Sequence, residues 1–210
     1  MRVYLVGYGK INQLVHQKIK HSIVGIYDLN NNYLSDEPDL IIDFSNPKAL
    51  DTTIQLALKY KAKVLIGTTG YTYRQYEKIK KLSKSVAVLM ASNFSVGMIL
   101  LSKFFKDNSK YLNNFDKHII EIHNKNKVDC PSGTAKMLAD LLNCKNITSI
   151  RSKDVIGTHE VILISDDEVI NIKHTITSRN NFINGVLKAV EYLKGKEVGL
   201  YDMEDIIDAM

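Results

Sequence analysis

Arg2-Val-Tyr-Leu-Val-Gly-Tyr-Gly-Lys-Ile-Asn12 reads as a short buried strand, a glycine turn and the opening of a helix, whose apolar stripe continues through Ile11, Leu14, Val15 and Ile19. Glycines at 7 and 9 let the backbone come close to a pyrophosphate at a helix amino end, where unpaired N–H groups and the helix dipole favour an anion. Gly7, Tyr8, Gly9, Lys10 and Ile11 are therefore candidate cofactor-binding residues, in a near match to the dinucleotide fingerprint with Asn12 at the third glycine. The next apolar run, residues 23–27, ends at Asp28, 21 residues beyond Gly7. A carboxylate there hydrogen-bonds a ribose hydroxyl and repels a 2′-phosphate, which favours NADH over NADPH.

Working outward, the alternation persists. Residues 29–38 form a polar loop, and residues 39–43 a buried strand leading to Ser45-Asn-Pro47, where proline suits a first helical position before Leu50, Ile54, Ala57 and Leu58. Residues 64–66 are a strand running into Gly67-Thr68-Thr69-Gly70. Thr72 and Gln75 form a capping box, and residues 86–90 are the next strand, followed by Ser92, Asn93 and Phe94. This alternation predicts an α/β, Rossmann-like, doubly wound parallel sheet with ligands at the carboxyl ends of its strands. Gly67, Thr68, Thr69, Ser92, Asn93 and Phe94 then lie over the cofactor crevice, with Phe94 able to stack on the nicotinamide ring.

Beyond Asn93 the rhythm changes to a second α+β domain with a mostly antiparallel or mixed sheet. Residues 96–105 are helical, 117–123 a strand and 132–142 a helix. Residues 160–165 and 168–177 form a hairpin about Asp166-Asp167, and a helix over 182–193 is capped by Gly195. Residues 1–93 with 180–210 are expected to bind the dinucleotide, and residues 94–179 to bind substrate and to oligomerise. In the strand at 117–123, Ile119, Glu121 and His123 share one face, read as polar, and Ile120 and Ile122 the other, read as packed. His123 lies near Lys125, Lys127 and Asp129, and Ser132, Gly133 and Thr134 open a helix suited to a substrate carboxylate.

A formal charge of +5 fits anionic ligands, but its lysines are scattered, and no nucleic-acid partner is expected. No run approaches the roughly 20 apolar residues of a membrane helix, and the apolar run before Gly7 is too short for a signal peptide, so a cytoplasmic protein without a membrane partner is expected. Cys130 and Cys144 make neither a disulfide framework nor a metal cluster, and no metal is expected.

Several strings resemble the 4-hydroxy-tetrahydrodipicolinate reductase family, formerly dihydrodipicolinate reductase, in the same order along the chain. They are Gly7-Tyr-Gly-Lys-Ile11, Asp43-Phe-Ser-Asn-Pro47, Gly67-Thr-Thr-Gly70, Asn93-Phe-Ser-Val-Gly97, Glu121-Ile-His123, Lys127-Val-Asp-Cys-Pro-Ser-Gly-Thr134, Gly157-Thr-His-Glu160, Ser178-Arg179 and Gly199-Leu-Tyr-Asp-Met203. The resemblance implies NADH- or NADPH-dependent reduction of the cyclic product of aspartate semialdehyde and pyruvate to tetrahydrodipicolinate, in the diaminopimelate route to lysine. It implies His123 as proton donor, Lys127 as its partner, and Asn124, Ser132, Gly133 and Thr134 as substrate contacts. It also implies a small dicarboxylate substrate and a homotetramer joined through the second-domain sheets. The family's usual second histidine is Asn124 here. Together with Asn12, that residue also fits a non-catalytic NAD(P)-binding sensor or an inactive descendant of the family.

Overall fold

The computed structural model describes residues 1–30 and 32–210, which divide into two compact units, residues 1–94 with 182–210 and residues 95–181. In the first unit, β1 (Val3–Val6), β4 (Leu40–Asp43) and β5 (Lys63–Ile66) are almost wholly buried, as expected for strands covered on both faces. Among the described residues they belong to a seven-stranded sheet that also contains β2 (Ile23–Tyr27), β3 (Asn32–Leu34), β6 (Ala87–Met90) and β11 (Gly199–Tyr201), in the order β11-β6-β5-β4-β1-β2-β3. Every pairing is parallel except β2 with β3. The order reverses between β1 and β4, so the crevice opens at their carboxyl ends. The doubly wound fold expected from the alternation is present.

Two strands of this unit escape the sequence pattern. Within the loop expected over residues 29–38, of which Asn31 lies outside the described residues, Asn32, Tyr33 and Leu34 pair antiparallel with Tyr27, Ile26 and Gly25. All three are exposed, so this edge strand carries no apolar alternation. A methyl group on Gly25 would stand 2.4 Å from the Tyr33 carbonyl, so only glycine permits that approach. The strand β11 is likewise too short to show a period.

Helices α1 (Lys10–Lys18), α2 (Leu50–Tyr60), α3 (Tyr73–Leu82), α6 (Asn180–Lys194) and α7 (Met203–Asp208) complete the first unit. The Thr72–Gln75 capping box forms at α3. Pro47 opens a short 3₁₀ turn, capped by the Asn46 side chain, ahead of α2. Gly195 does not take the left-handed cap conformation. The Lys63 ammonium instead donates to the carbonyls of Leu193 at 2.8 Å, Lys194 at 3.1 Å and Lys196, closing the carboxyl end of α6 with a positive charge.

The second unit lays α4 (Val96–Asn108) and α5 (Gly133–Leu142) against a mixed sheet of β7 (Asp116–Asn124), β8 (Asn146–Ser152), β9 (Gly157–Ile164) and β10 (Val169–Ile176), in the order β10-β9-β7-β8. The hairpin about Asp166-Asp167 is β9–β10, with Ser165 N–H donating to the Glu168 carbonyl at 2.9 Å. The sequence pattern did not reveal β8, which runs parallel to β7 and sets Arg151 opposite His123. The face assignment of β7 is reversed: Ile119, Glu121 and His123 point into the core, while Ile120 and Ile122 are only half-buried on the other side. Burial here follows pairing of the polar groups, described below, rather than their polarity.

Gly185 in α6 touches the Phe94 carbonyl so closely that an added Cβ would stand 1.7 Å from its oxygen. Gly185→Ala gains roughly 1 kcal/mol of helix propensity, yet overpacking should make it a net loss of about 2 kcal/mol. Urea unfolding of the variant against the parent measures the sign.

Candidate active site

The first unit carries a trough along the carboxyl ends of its strands. A cavity of about 400 Å³ beside Gly7, Asp28, Leu29 and Lys48 shares Ser45 and Asn46 with one of about 410 Å³ beside Gly9, Lys10 and Ile11. The latter shares Thr68 and Thr69 with a third, of about 340 Å³, that reaches Met90 and Ser92. Gly7 has φ +80°, and a Cβ on it would lie 2.7 Å from the Phe44 carbonyl, so the turn needs glycine both for its conformation and for its space. Gly9 is the amino cap of α1 and brings no side chain to its N–H groups, and the first turn holds no acidic residue. Those donors suit a pyrophosphate, and three joined cavities suit an extended dinucleotide.

Asn12, in place of the third glycine, is fully buried and donates from Nδ2 to the carbonyls of Val6 at 3.0 Å and Gly7 at 2.7 Å. The asparagine thus ties the helix to the strand end and preserves the turn. Tyr8 pairs through its hydroxyl with His16 Nδ1 at 2.8 Å. Phe94 is buried with its ring 5.3 Å from that of Phe44, so it serves the core and does not line the three cavities.

A residue not singled out for the site by sequence reasoning is Asp43. Its fully buried carboxyl accepts from Thr53 Oγ1 at 2.7 Å, Thr68 Oγ1 at 2.8 Å, Ser45 Oγ at 2.5 Å and Ser45 N–H at 3.1 Å. It joins the loop after β4 to the loop after β5, both of which line the trough. Its place at the carboxyl end of a central strand was the available signal.

The second unit gathers a different set. On β7, the fully buried Glu121 bonds His123 Nδ1 through one carboxylate oxygen. Its other oxygen takes the Arg151 guanidinium at 2.8 Å and the Ser132 N–H at 3.3 Å. Burial pushes the Glu121 carboxyl up, but hydrogen bonds from Arg151, Ser149 and His123 outweigh it and bring the group down to about 2. Ser132 caps α5 by accepting the Ala135 N–H at 3.2 Å, and its hydroxyl lies 3.2 Å from His159 Nε2. The His159 ring meets the His123 ring edge-on, with centroids 5.0 Å apart. Burial, then the neighbouring His123, lowers His159 to about 4, keeping it neutral near pH 7.

Lys127 enters this group through the turn after β7. Its N–H donates to the Asn124 carbonyl at 3.0 Å, the Asn126 N–H donates to Asn124 Oδ1 at 2.9 Å, and its ammonium pairs with Asp129 at 2.8 Å. Lys127 and the Gly133 amide hold the Asp129 carboxyl below the usual range. The turn thus sets Lys127 and Asp129 between His123 near the end of β7 and Ser132 and Gly133 at the start of α5, while Asn124 spends its side-chain oxygen on the turn itself. A buried imidazole on a carboxylate, a lysine and a helix amino end are groups whose chemistry suits a carboxylate and a proton transfer.

The family models for dihydrodipicolinate reductase match residues 5–94 (N-terminus) and 97–207 (C-terminus). The 4-hydroxy-tetrahydrodipicolinate reductase of Thermosipho africanus is 37% identical over 212 residues, covering 99% of this chain and 98% of that protein. That of Rickettsia bellii is 35% identical over 216 residues, covering 93% and 86%. The chain belongs to the dihydrodipicolinate reductase family. It is accordingly a nicotinamide-dependent oxidoreductase. The fold is shared with a family member from Paenisporosarcina sp. TG-14 solved with dipicolinate bound, at TM-score 0.77 and 23% identity, over 96% of this chain and 97% of that one. No helix among the described residues is long and apolar enough to cross a membrane.

His159 gives this site a pH signature. Its ordinary value is 6.5 and its folded value about 4, so the unfolded chain binds the extra proton first and stability falls as pH drops through that window. Between pH 7 and pH 5 the loss should be about 2 kcal/mol. It should shrink in His159→Gln, as read from urea midpoints at the two pH values. The contribution of Glu121 is present above 4.5 and lost only as pH falls toward 2, outside that range.

Proposed function

We propose that the chain reduces the cyclic hydroxy-tetrahydrodipicolinate, a small dicarboxylate, to tetrahydrodipicolinate, with His123 as proton donor and Lys127 as its partner in binding and protonation. The observation that carries this reading is the buried Glu121–His123 pair beside Lys127 and the amino end of α5. A nicotinamide cofactor held in the trough of the first unit would supply the hydride for the substrate ring. Lys127 and the amide groups at Gly133 and Thr134 take a substrate carboxylate, for which Lys127 exchanges its pairing with Asp129. Ser132, buried and bonded to Glu121, Ala135 and His159, supports that turn from beneath. Asn124 shapes the turn that presents Lys127. His123 gives its proton to the nitrogen system on which negative charge develops.

In the trough, Gly7, Gly9, Lys10 and Ile11 hold the pyrophosphate, and Gly67, Thr68, Thr69, Ser92 and Asn93 approach the nicotinamide end. Asp28 accepts a ribose hydroxyl and is followed by Leu29 rather than a cation, which favours NADH. Nucleic acid has no part in this reading, and the enzyme works in the cytoplasm. The outer face of the second-unit sheet, with half-buried Ile120 and Ile122 and exposed Ile150 and Ile164, joins copies of the chain into a homotetramer. Light scattering should give four times the chain mass.

His123→Gln should lower kcat about 100-fold or more, and Lys127→Ala should lower kcat and raise the KM for substrate, with NADH binding intact in both. Near-normal turnover in these variants would overturn the assignment. Asp28→Ser should narrow the preference for NADH over NADPH in kcat/KM by about tenfold, the loss of roughly 1.4 kcal/mol of discrimination.

A further inference from the structure

The Glu121–His123 contact is directional, and both nitrogens of the ring have a defined surrounding. Nδ1 meets the Glu121 carboxylate. Nε2 lies against Gly157 on β9, where an added Cβ would stand 3.1 Å from Nε2 and 3.3 Å from Cδ2. Glycine therefore keeps the reacting edge of the imidazole clear. Glu121 itself cannot turn away. Its second oxygen is fixed by Arg151 Nη2 at 2.8 Å and by the Ser132 amide, and the same Arg151 nitrogen donates to the Asp129 carbonyl at 2.7 Å. Arg151 thus spans the base of the histidine and the turn that carries Lys127.

We propose that Glu121, clamped by Arg151, is a positioning residue that holds His123 as the Nδ1–H tautomer and stabilises its imidazolium, leaving Nε2, in the space opened by Gly157, as the nitrogen that delivers the proton. This rests on His123 being the donor. The step balances simply. The Nε2–H bond breaks, the proton goes to the substrate nitrogen and the electron pair stays on Nε2. The ring becomes neutral with Nδ1–H on Glu121, and solvent restores the proton. Charged and titratable groups come from each neighbouring element: Glu121 on its own strand bonds the ring, His159 on β9 meets it edge-on, Arg151 on β8 pairs with Glu121, and Lys127 pairs with Asp129 in the turn before α5. The neutral His159, tied to Ser132, keeps a second positive ring from competing for the same carboxylate.

Long-range proton–nitrogen correlation of the ¹⁵N-histidine-labelled full-length protein, at a pH where the ring is neutral, reads the tautomer without any substitution. Nδ1 protonated and Nε2 bare is expected; Nε2 protonated would overturn the proposal. Glu121→Gln should lower kcat about 100-fold and leave His123 a mixture of both tautomers in the same spectrum, because the carboxylate at Nδ1 is gone. The cofactor KM should stay unchanged and Glu121→Asp should recover part of both effects. Gly157→Ala should lower kcat and leave the tautomer unchanged. A single Nδ1–H tautomer in a folded Glu121→Gln enzyme would sink the positioning role while His123→Gln remained inactive. Turnover retained in His123→Gln would instead remove the assignment on which the proposal stands.

Discussion

A carboxylate removed from water is tolerated only where its lone pairs are answered, and the second unit is organised around one such group. Glu121 is fully buried in the middle of a sheet, a position that would cost several kcal/mol if the charge were unpaired. Its partners come from separate parts of the chain: His123 from its own strand, Arg151 from β8 and the Ser132 amide from the start of α5. Each partner thereby fixes an element. The strand β8 is held in register beside β7, the helix α5 begins where its amide meets the carboxylate, and the turn between them is confined by both ends. The histidine proposed to deliver the proton is also one of the groups that make burial of this charge acceptable.

The first unit solves a related problem with milder means. The carboxyl of Asp43 is answered by three hydroxyls and an amide rather than by a cation. Neutral donors fix the loops after β4 and β5 without placing a positive charge beneath the trough, so the positive field there comes from the N–H groups of α1 with Lys10 and Lys48. In both units a polar group that the sequence shows as a lone acidic letter becomes a junction between loops.

What the sequence made legible was local. The strand, turn and helix around Gly7, the Thr72–Gln75 cap and the hairpin about Asp166-Asp167 each depend on residues within a few positions of one another, and their chemistry is printed in order. The strand β3 was not legible, because an exposed edge has no apolar rhythm to reveal it. Neither was β8, and with it Arg151 went unseen beside Glu121, since that pairing exists only once the sheet is assembled. The same gap explains why the two faces of β7 were exchanged. Without the guanidinium, a face bearing Glu and His belongs in water; with it, that face belongs in the core. Asn12 shows the reverse case: this departure from the glycine pattern is plain in the sequence, and its amide supplies two hydrogen bonds that glycine lacks.

The parallel pairing of β7 with β8 through α5 makes the second unit, for part of its length, a strand–helix–strand crossover of the kind that builds the first. The chain therefore uses one arrangement twice, presenting reactive or anion-holding groups where a strand runs out and a helix begins. Insertions at the opposite ends of these strands would lengthen connections remote from either turn. An insertion between Asn124 and Ser132 would alter a span tethered at both ends, through His123 and Ser132, to the same buried carboxylate, so the length of that segment is fixed by geometry.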